Sequence, residues 1–124
     1  MSFSTLDSSI LGNRRHSNLH AAYLFYYATE AAFSENSDVK ILKKRLQTLV
    51  NDALILAKQN NLAVFNSLSL MDNPLFMNEL KFLPGTGQLH YYLYNYRASA
   101  IAGGINEQLE LQENKCSGLG FIGI

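Results

Sequence analysis

The stretch from Lys81 to Arg97, KFLPGTGQLHYYLYNYR, holds the residues best suited to touch a ligand. Pro84, Gly85 and Gly87 can make a tight turn with exposed backbone N–H groups, because glycine tolerates positive φ and has no Cβ to hold a ligand away. Leu89 to Tyr96 then reads as a strand, with Leu89, Tyr91 and Leu93 on one face and His90, Tyr92, Tyr94 and Tyr96 on the other. Other reactive side chains are scattered. His16, His20 and His90 have neither metal-ligand spacing nor a catalytic partner, and they read as surface or satisfied core residues. Cys116 has only Lys115 as a cationic neighbour and reads as an inert thiol. Lys40, Lys43, Lys44 and Arg45 form a basic cluster that reads as a solvated helix face. Neither Gly85–Gly87 nor Gly103-Gly104 has the strand, loop and helix context of a pyrophosphate site. The chain closes on LGFIGI, which reads as an apolar strand carrying a terminal carboxylate.

These residues must be positioned by a small fold. A length of 124 residues suits a single domain, residues 1–124, able to bury a core. Hydrophobic residues make up 48% and charged ones 16%, which argues against disorder, and ten basic side chains balance ten acidic ones. No basic stripe or zinc spacing asks for nucleic acid. A single cysteine excludes an internal disulfide framework and fits a reducing compartment. No apolar run approaches the roughly 20 residues of a membrane helix, and the N-terminus lacks a signal-peptide pattern, so a cytoplasmic protein without a transmembrane segment is expected.

The pattern predicts an α+β fold with a central twisted mixed sheet, one long helix and one short one. Residues 2–6 and 8–11 read as short β fragments around Asp7, followed by a loop over Gly12–Asn18. Ala21–Ala28, apolar on both faces, reads as a central strand buried on both sides. Val39, Leu42, Leu46, Leu49, Val50, Ala53 and Ala57 recur at helical spacing, predicting a helix over Val39–Gln59 with Ser37 or Asp38 as its cap and Asn60-Asn61 as its stop. Leu62–Leu68 reads as a strand, so strand, helix and strand imply a right-handed crossover between parallel neighbours. Asp72 or Asn73 can cap a short helix that begins near Pro74 and runs to about Leu80.

Taken together, DALILAK at 52–58, Val64-Phe65-Asn66, Met71-Asp72-Asn73, Leu80-Lys81-Phe82 and YYLYNYR at 91–97 resemble the C-terminal half of eukaryotic, particularly fungal, glycylpeptide N-myristoyltransferases. AYLFYYAT near the start, GGIN at 103–106 and the SGLG before the last strand extend the similarity over nearly the whole chain. The resemblance implies a GNAT-like half of a saddle-shaped acyltransferase that moves a tetradecanoyl group from coenzyme A to the amine of an N-terminal glycine. It implies that myristoyl-CoA, the co-substrate, is held mainly by an N-terminal half absent here. No cofactor is expected on the present half, whose partners are glycine-terminated peptides of substrate proteins.

By the same resemblance, the Ile124 α-carboxylate is the catalytic base that helps deprotonate the glycyl ammonium. Burial raises a carboxylate's pKa while the incoming cation favours its charged form. Tyr23 corresponds to an aromatic wall of the peptide groove, Asn66, Ser67 and Leu68 to a groove segment at a strand end, and Gly85-Thr86-Gly87 to a loop that contacts the peptide through backbone amides. Thr86 replaces the family's usual aspartate. Ser4, Asp7 and Ser8 stand where fungal relatives tend to carry tyrosine, proline and phenylalanine, so Ser8 is expected to line a more open and polar pocket. Without the resemblance, Asn66 reads as a turn or cap residue and Tyr23 as core. A truncated, non-catalytic paralogue that binds N-terminal peptides or pairs with another half would carry the same motifs.

Overall fold

The computed structural model describes residues 1–35 and 38–120. Two strands, β1 (Ser2–Ser9) and β2 (Asn18–Tyr26), form an antiparallel hairpin. A 21-residue helix, α1 (Val39–Gln59), crosses over to β3 (Val64–Asn66), which pairs parallel to β2. The sheet order is therefore β1-β2-β3, with β2 central. A short helix, α2 (Pro74–Met77), follows, and the remaining described chain contains a single turn of 3-10 helix at Glu113–Lys115.

Local chemistry sets the main boundaries. The β1–β2 loop turns at Gly12, whose φ is 78°, and the Asn13 side chain accepts a 2.9 Å bond from the Arg15 N–H. Asp7 does not interrupt β1. It faces His20 across the pair, with Oδ1 2.6 Å from Nδ1, so one continuous strand replaces the two fragments expected. Asp38 caps α1 by accepting from the Lys40 N–H at 3.0 Å. At the other end the Asn60 side chain donates to the Leu56 carbonyl at 2.8 Å, and Asn61 takes a left-handed conformation with φ 58°.

One face of the sheet carries the core. Leu46, Val50, Ala53 and Ala57 form the buried stripe of α1, and Leu24, Leu46, Val50, Leu75, Phe76 and Met77 make one cluster. Full burial of an aliphatic or phenyl side chain of this kind contributes roughly 1.5–3 kcal/mol. A relay of ring contacts runs through this cluster: Tyr27 to Phe76 at 6.3 Å, Phe76 to Phe82 at 5.9 Å, Phe82 to Phe65 at 6.2 Å and Phe65 to Phe3 at 5.7 Å. It ties α2 to β1 and β3. The opposite face of β2 is only partly open: Tyr23 and Phe25 are exposed, while Ala21 on the same side is buried. Burial of β2 on both sides, expected from its composition, therefore holds at Ala21 and Ala22 and gives way toward the strand's end.

Several sequence expectations need correction. Leu62–Leu68 shortens to Val64–Asn66, because the chain leaves the sheet where the Leu68 carbonyl turns to accept from the Asn73 side chain. The short helix ends at Met77 instead of Leu80, and Asn73 does not cap it, since that side chain points inward to other partners. Leu89–Tyr96 forms no strand. Alternating aromatics mark half-buried surface, but a strand also needs a neighbour, and the three-stranded sheet does not reach this segment. The segment is exposed, with a turn at Tyr94-Asn95. Leu119 and Gly120 are likewise not in a strand, and residues 121–124 of that expected strand lie outside the described residues.

Gly104 shows how tightly the chain after α2 packs. Its φ is +74°, and an added Cβ would lie 2.2 Å from the Ser69 carbonyl oxygen and 2.6 Å from Pro74 Cγ. Gly104→Ala is expected to destabilise the fold by about 1–3 kcal/mol from backbone strain alone, with the clash adding to it. Gly103→Ala, where the space is open, is expected to cost less than about 0.5 kcal/mol. Denaturant titration of the two variants checks this, and equal midpoints would refute it.

Candidate functional site

The open face of the sheet gathers four of the residues singled out from the sequence, Ser4, Ser8, Tyr23 and Asn66. In the strand register Ser4 pairs with Tyr23 and Tyr23 pairs with Asn66, so one row crosses all three strands. Alternation places Ser8, paired with Leu19, on this same face, away from α1. Tyr23 is 39% exposed, which leaves an aromatic wall available to a ligand beside the partly buried Asn66 amide. On the β1 side, the hydroxyls of Ser4 and Ser8 flank the exposed Leu6, which shares this face.

Ser67 and Leu68 continue from the end of β3 and are held by a group that sequence reasoning assigns elsewhere. The Asn73 side chain, 1% exposed, donates through Nδ2 to Ser67 Oγ at 3.0 Å and to the Leu68 carbonyl at 2.7 Å. Its Oδ1 accepts from the Tyr27 hydroxyl at 2.7 Å, and that hydroxyl accepts in turn from the Asp72 N–H at 3.2 Å. Nearby, the Ser69 hydroxyl donates to the Gly103 carbonyl at 2.6 Å. The Met71 N–H donates to the Leu119 carbonyl at 3.0 Å. Leu24, Phe25, Leu68, Leu70, Met71 and Gly120 line a small pocket with Asn73 at its base. Sequence reasoning misses Tyr27 and Asn73 as part of the site. No local pattern distinguishes an asparagine that caps a helix from one buried under a loop.

Burial shapes the titration of this region. It raises the Tyr27 hydroxyl well above its ordinary range, and the neighbouring Asp72 adds to the rise. The Asp72 carboxyl is itself raised by burial. Cys116, packed against the core, is pushed up to about 11 by burial first, then by Asp72 and Glu113. It is therefore a poor nucleophile at neutral pH, as read from the sequence. Lys43 bonds Glu113 at 2.7 Å and lies 3.5 Å from Glu79; the Glu113 bond is the first cause of its raised pKa. Among the described residues no His, Cys, Asp and Glu cluster could hold a metal ion.

Gly85, Thr86 and Gly87 are exposed with open space around both glycines, and neither takes a positive φ. The tight turn expected there is a bend at Thr86 that uses no positive φ. Ile124 lies outside the described residues. Also among the described residues, no helix is long and apolar enough to cross a membrane.

A small mixed sheet packed on one face by helices is a domain of the α+β class. Residues 1–122 match the family described as "Myristoyl-CoA:protein N-myristoyltransferase, C-terminal domain". The chain is 54% identical over 121 residues to a glycylpeptide N-tetradecanoyltransferase of Neurospora crassa, covering 98% of the chain and 21% of that protein. The corresponding Aspergillus fumigatus protein is 53% identical over 121 residues, with 98% and 24% covered. In structure the chain is similar to Saccharomyces cerevisiae N-myristoyltransferase with bound myristoyl-CoA, with a TM-score of 0.89, 43% identity, and 98% of this chain and 30% of that one covered. The chain belongs to the N-myristoyltransferase family and corresponds to its C-terminal domain. It spans about a quarter of the length of those curated relatives.

The raised Cys116 pKa has a consequence for stability. The folded state holds this proton more tightly than the unfolded state, so its contribution is complete below the ordinary thiol value of 9.0 and is lost as pH rises through about 11. Tyr27 acts in the same direction. The urea midpoint is expected to fall across this alkaline range, with a shallower fall in Cys116→Ala. Parallel pH profiles for the two proteins would exclude the thiol as a source.

Proposed function

We propose that this chain, residues 1–124, is a peptide-binding part of the C-terminal domain of a protein N-myristoyltransferase, and that its open sheet face receives the N-terminal segment of a substrate protein. The observation that carries this reading is the register row Ser4, Tyr23 and Asn66, continued by Ser67 and Leu68, on the face that the helices leave uncovered. Tyr23 supplies apolar contact, and the Asn66 amide supplies both a donor and an acceptor for an extended peptide backbone. Ser8 adds a hydroxyl at the β1 side. In this reading Gly85, Thr86 and Gly87 close one end of the groove and donate backbone N–H groups to a peptide side chain.

The chemistry follows from what the attack requires. An α-ammonium, which ordinarily titrates at about 7.7–8.0, cannot attack a thioester until it loses a proton. The Ile124 carboxylate is assigned as the base that takes it. The freed amine then attacks the thioester carbonyl carbon, the C–N bond forms as the C–S bond breaks, and coenzyme A leaves as the thiol. Family membership supports this assignment, as does the Met71–Leu119 hydrogen bond that brings the chain to the pocket at Gly120. In this reading myristoyl-CoA is held by the larger remainder of the complete enzyme, of which this chain is about a quarter.

Titration of the 124-residue chain with myristoyl-CoA and with a glycine-terminated peptide tests the division of labour. Peptide binding without acyl-CoA binding, and no turnover, is expected. Turnover by the chain alone would overturn it. In the complete enzyme, residues appended after Ile124 are expected to cut kcat by about 100-fold or more, in the range associated with loss of a general base. Unchanged kinetics would remove Ile124 from the mechanism.

A further inference from the structure

We infer that Tyr27 and Asn73 are positioning residues of the peptide groove, which act by locking the Ser67-Leu68 segment at the end of β3 without touching the peptide themselves. This rests on the groove reading above. Asn73 is the buried polar side chain of the described core, and its position allows no direct role on the open face, since it is 1% exposed. What it grips is the stretch immediately after Asn66. Nδ2 holds both the Ser67 hydroxyl and the Leu68 carbonyl, and Oδ1 is anchored by the Tyr27 hydroxyl at the end of β2, the strand that also carries Tyr23. The lock therefore ties the two walls of the row, Tyr23 and Asn66, through a second route besides the sheet pairing.

The same lock reaches the other components of the pocket. Tyr27 accepts from the Asp72 N–H, and the adjacent Met71 N–H holds Leu119. An amide is the side chain that suits the position: it accepts one bond and donates two from a single planar group. Aspartate keeps the acceptor for Tyr27 but loses both donors and sets its charge against the Leu68 carbonyl. Leucine leaves the Leu68 carbonyl and the Tyr27 hydroxyl without this partner in a buried site.

The test uses the complete enzyme and reads the dissociation constants of a short peptide with a free N-terminal glycine and of myristoyl-CoA, together with Tm. Tyr27→Phe is expected to weaken the peptide about 3- to 10-fold, the range for one net hydrogen bond, with myristoyl-CoA binding unchanged. Asn73→Asp is expected to weaken it about 10- to 100-fold, as loss of precise positioning does. Asp38→Ala, which removes the N-cap of α1 and shares no partner with the lock, provides a variant of lowered Tm with peptide affinity retained. Combining Tyr27→Phe with Asn66→Ala is expected to give no loss beyond Asn66→Ala alone. If Asn73→Asp does not fold, Tyr27→Phe and this double variant decide the matter. Peptide affinity that follows Tm equally in Tyr27→Phe and Asp38→Ala would overturn the positioning role, as would an unchanged constant in Tyr27→Phe. An unsubstituted enzyme that binds no glycine-terminated peptide would overturn the groove reading itself, and the inference with it.

Discussion

Burying one carboxamide is the constraint around which the second half of the chain is arranged. Leaving an amide without partners in an apolar interior costs several kcal/mol on water-to-hydrocarbon scales, and Asn73 avoids that cost by drawing in Tyr27, Ser67 and Leu68. Among the described residues no buried side-chain nitrogen or oxygen lacks a partner. The bonds are directional, so the loop after β3 takes one path across the end of the sheet. Ser69 and Gly103 then meet at 2.6 Å, and Gly104 fits only because it has no Cβ. Apolar burial holds α1 and α2 to the sheet, whereas this polar junction decides where the loop lies.

The sheet presents two faces of different chemistry. Phe3, Leu24 and Phe65 turn toward the helices and join the ring relay and the core. Ser4, Tyr23 and Asn66 turn away from them. A one-residue slip of β1 against β2 would exchange the two sets, burying serine hydroxyls and exposing the phenylalanine. The ring contact between Phe3 and Phe65 opposes such a slip, so the core that stabilises the fold also fixes the site's register.

Much of this is legible in the sequence because it depends on local period. Leu46, Val50, Ala53 and Ala57 announce α1, Asp38 and Asn60-Asn61 bound it, and the crossover makes β2 and β3 parallel. The tyrosine-rich segment misleads because alternation records which side chains suit a surface, not whether a neighbouring strand exists. The residues proposed for the groove, Tyr23, Asn66, Ser67 and Leu68, stand out only through resemblance, since each residue alone has an ordinary structural reading. Asn73 escapes a correct assignment because its bond to Tyr27 crosses 46 positions of sequence, beyond any local pattern.

That separation also orders the assembly of the molecule in time. The β1–β2 hairpin closes through a short loop and α1 can form from neighbouring residues, both early events on entropic grounds. The Tyr27–Asn73 bond has to wait until the crossover has delivered β3 and the turn that follows it. The segment after β3 therefore takes its place late in folding, once the sheet and the crossover are in position.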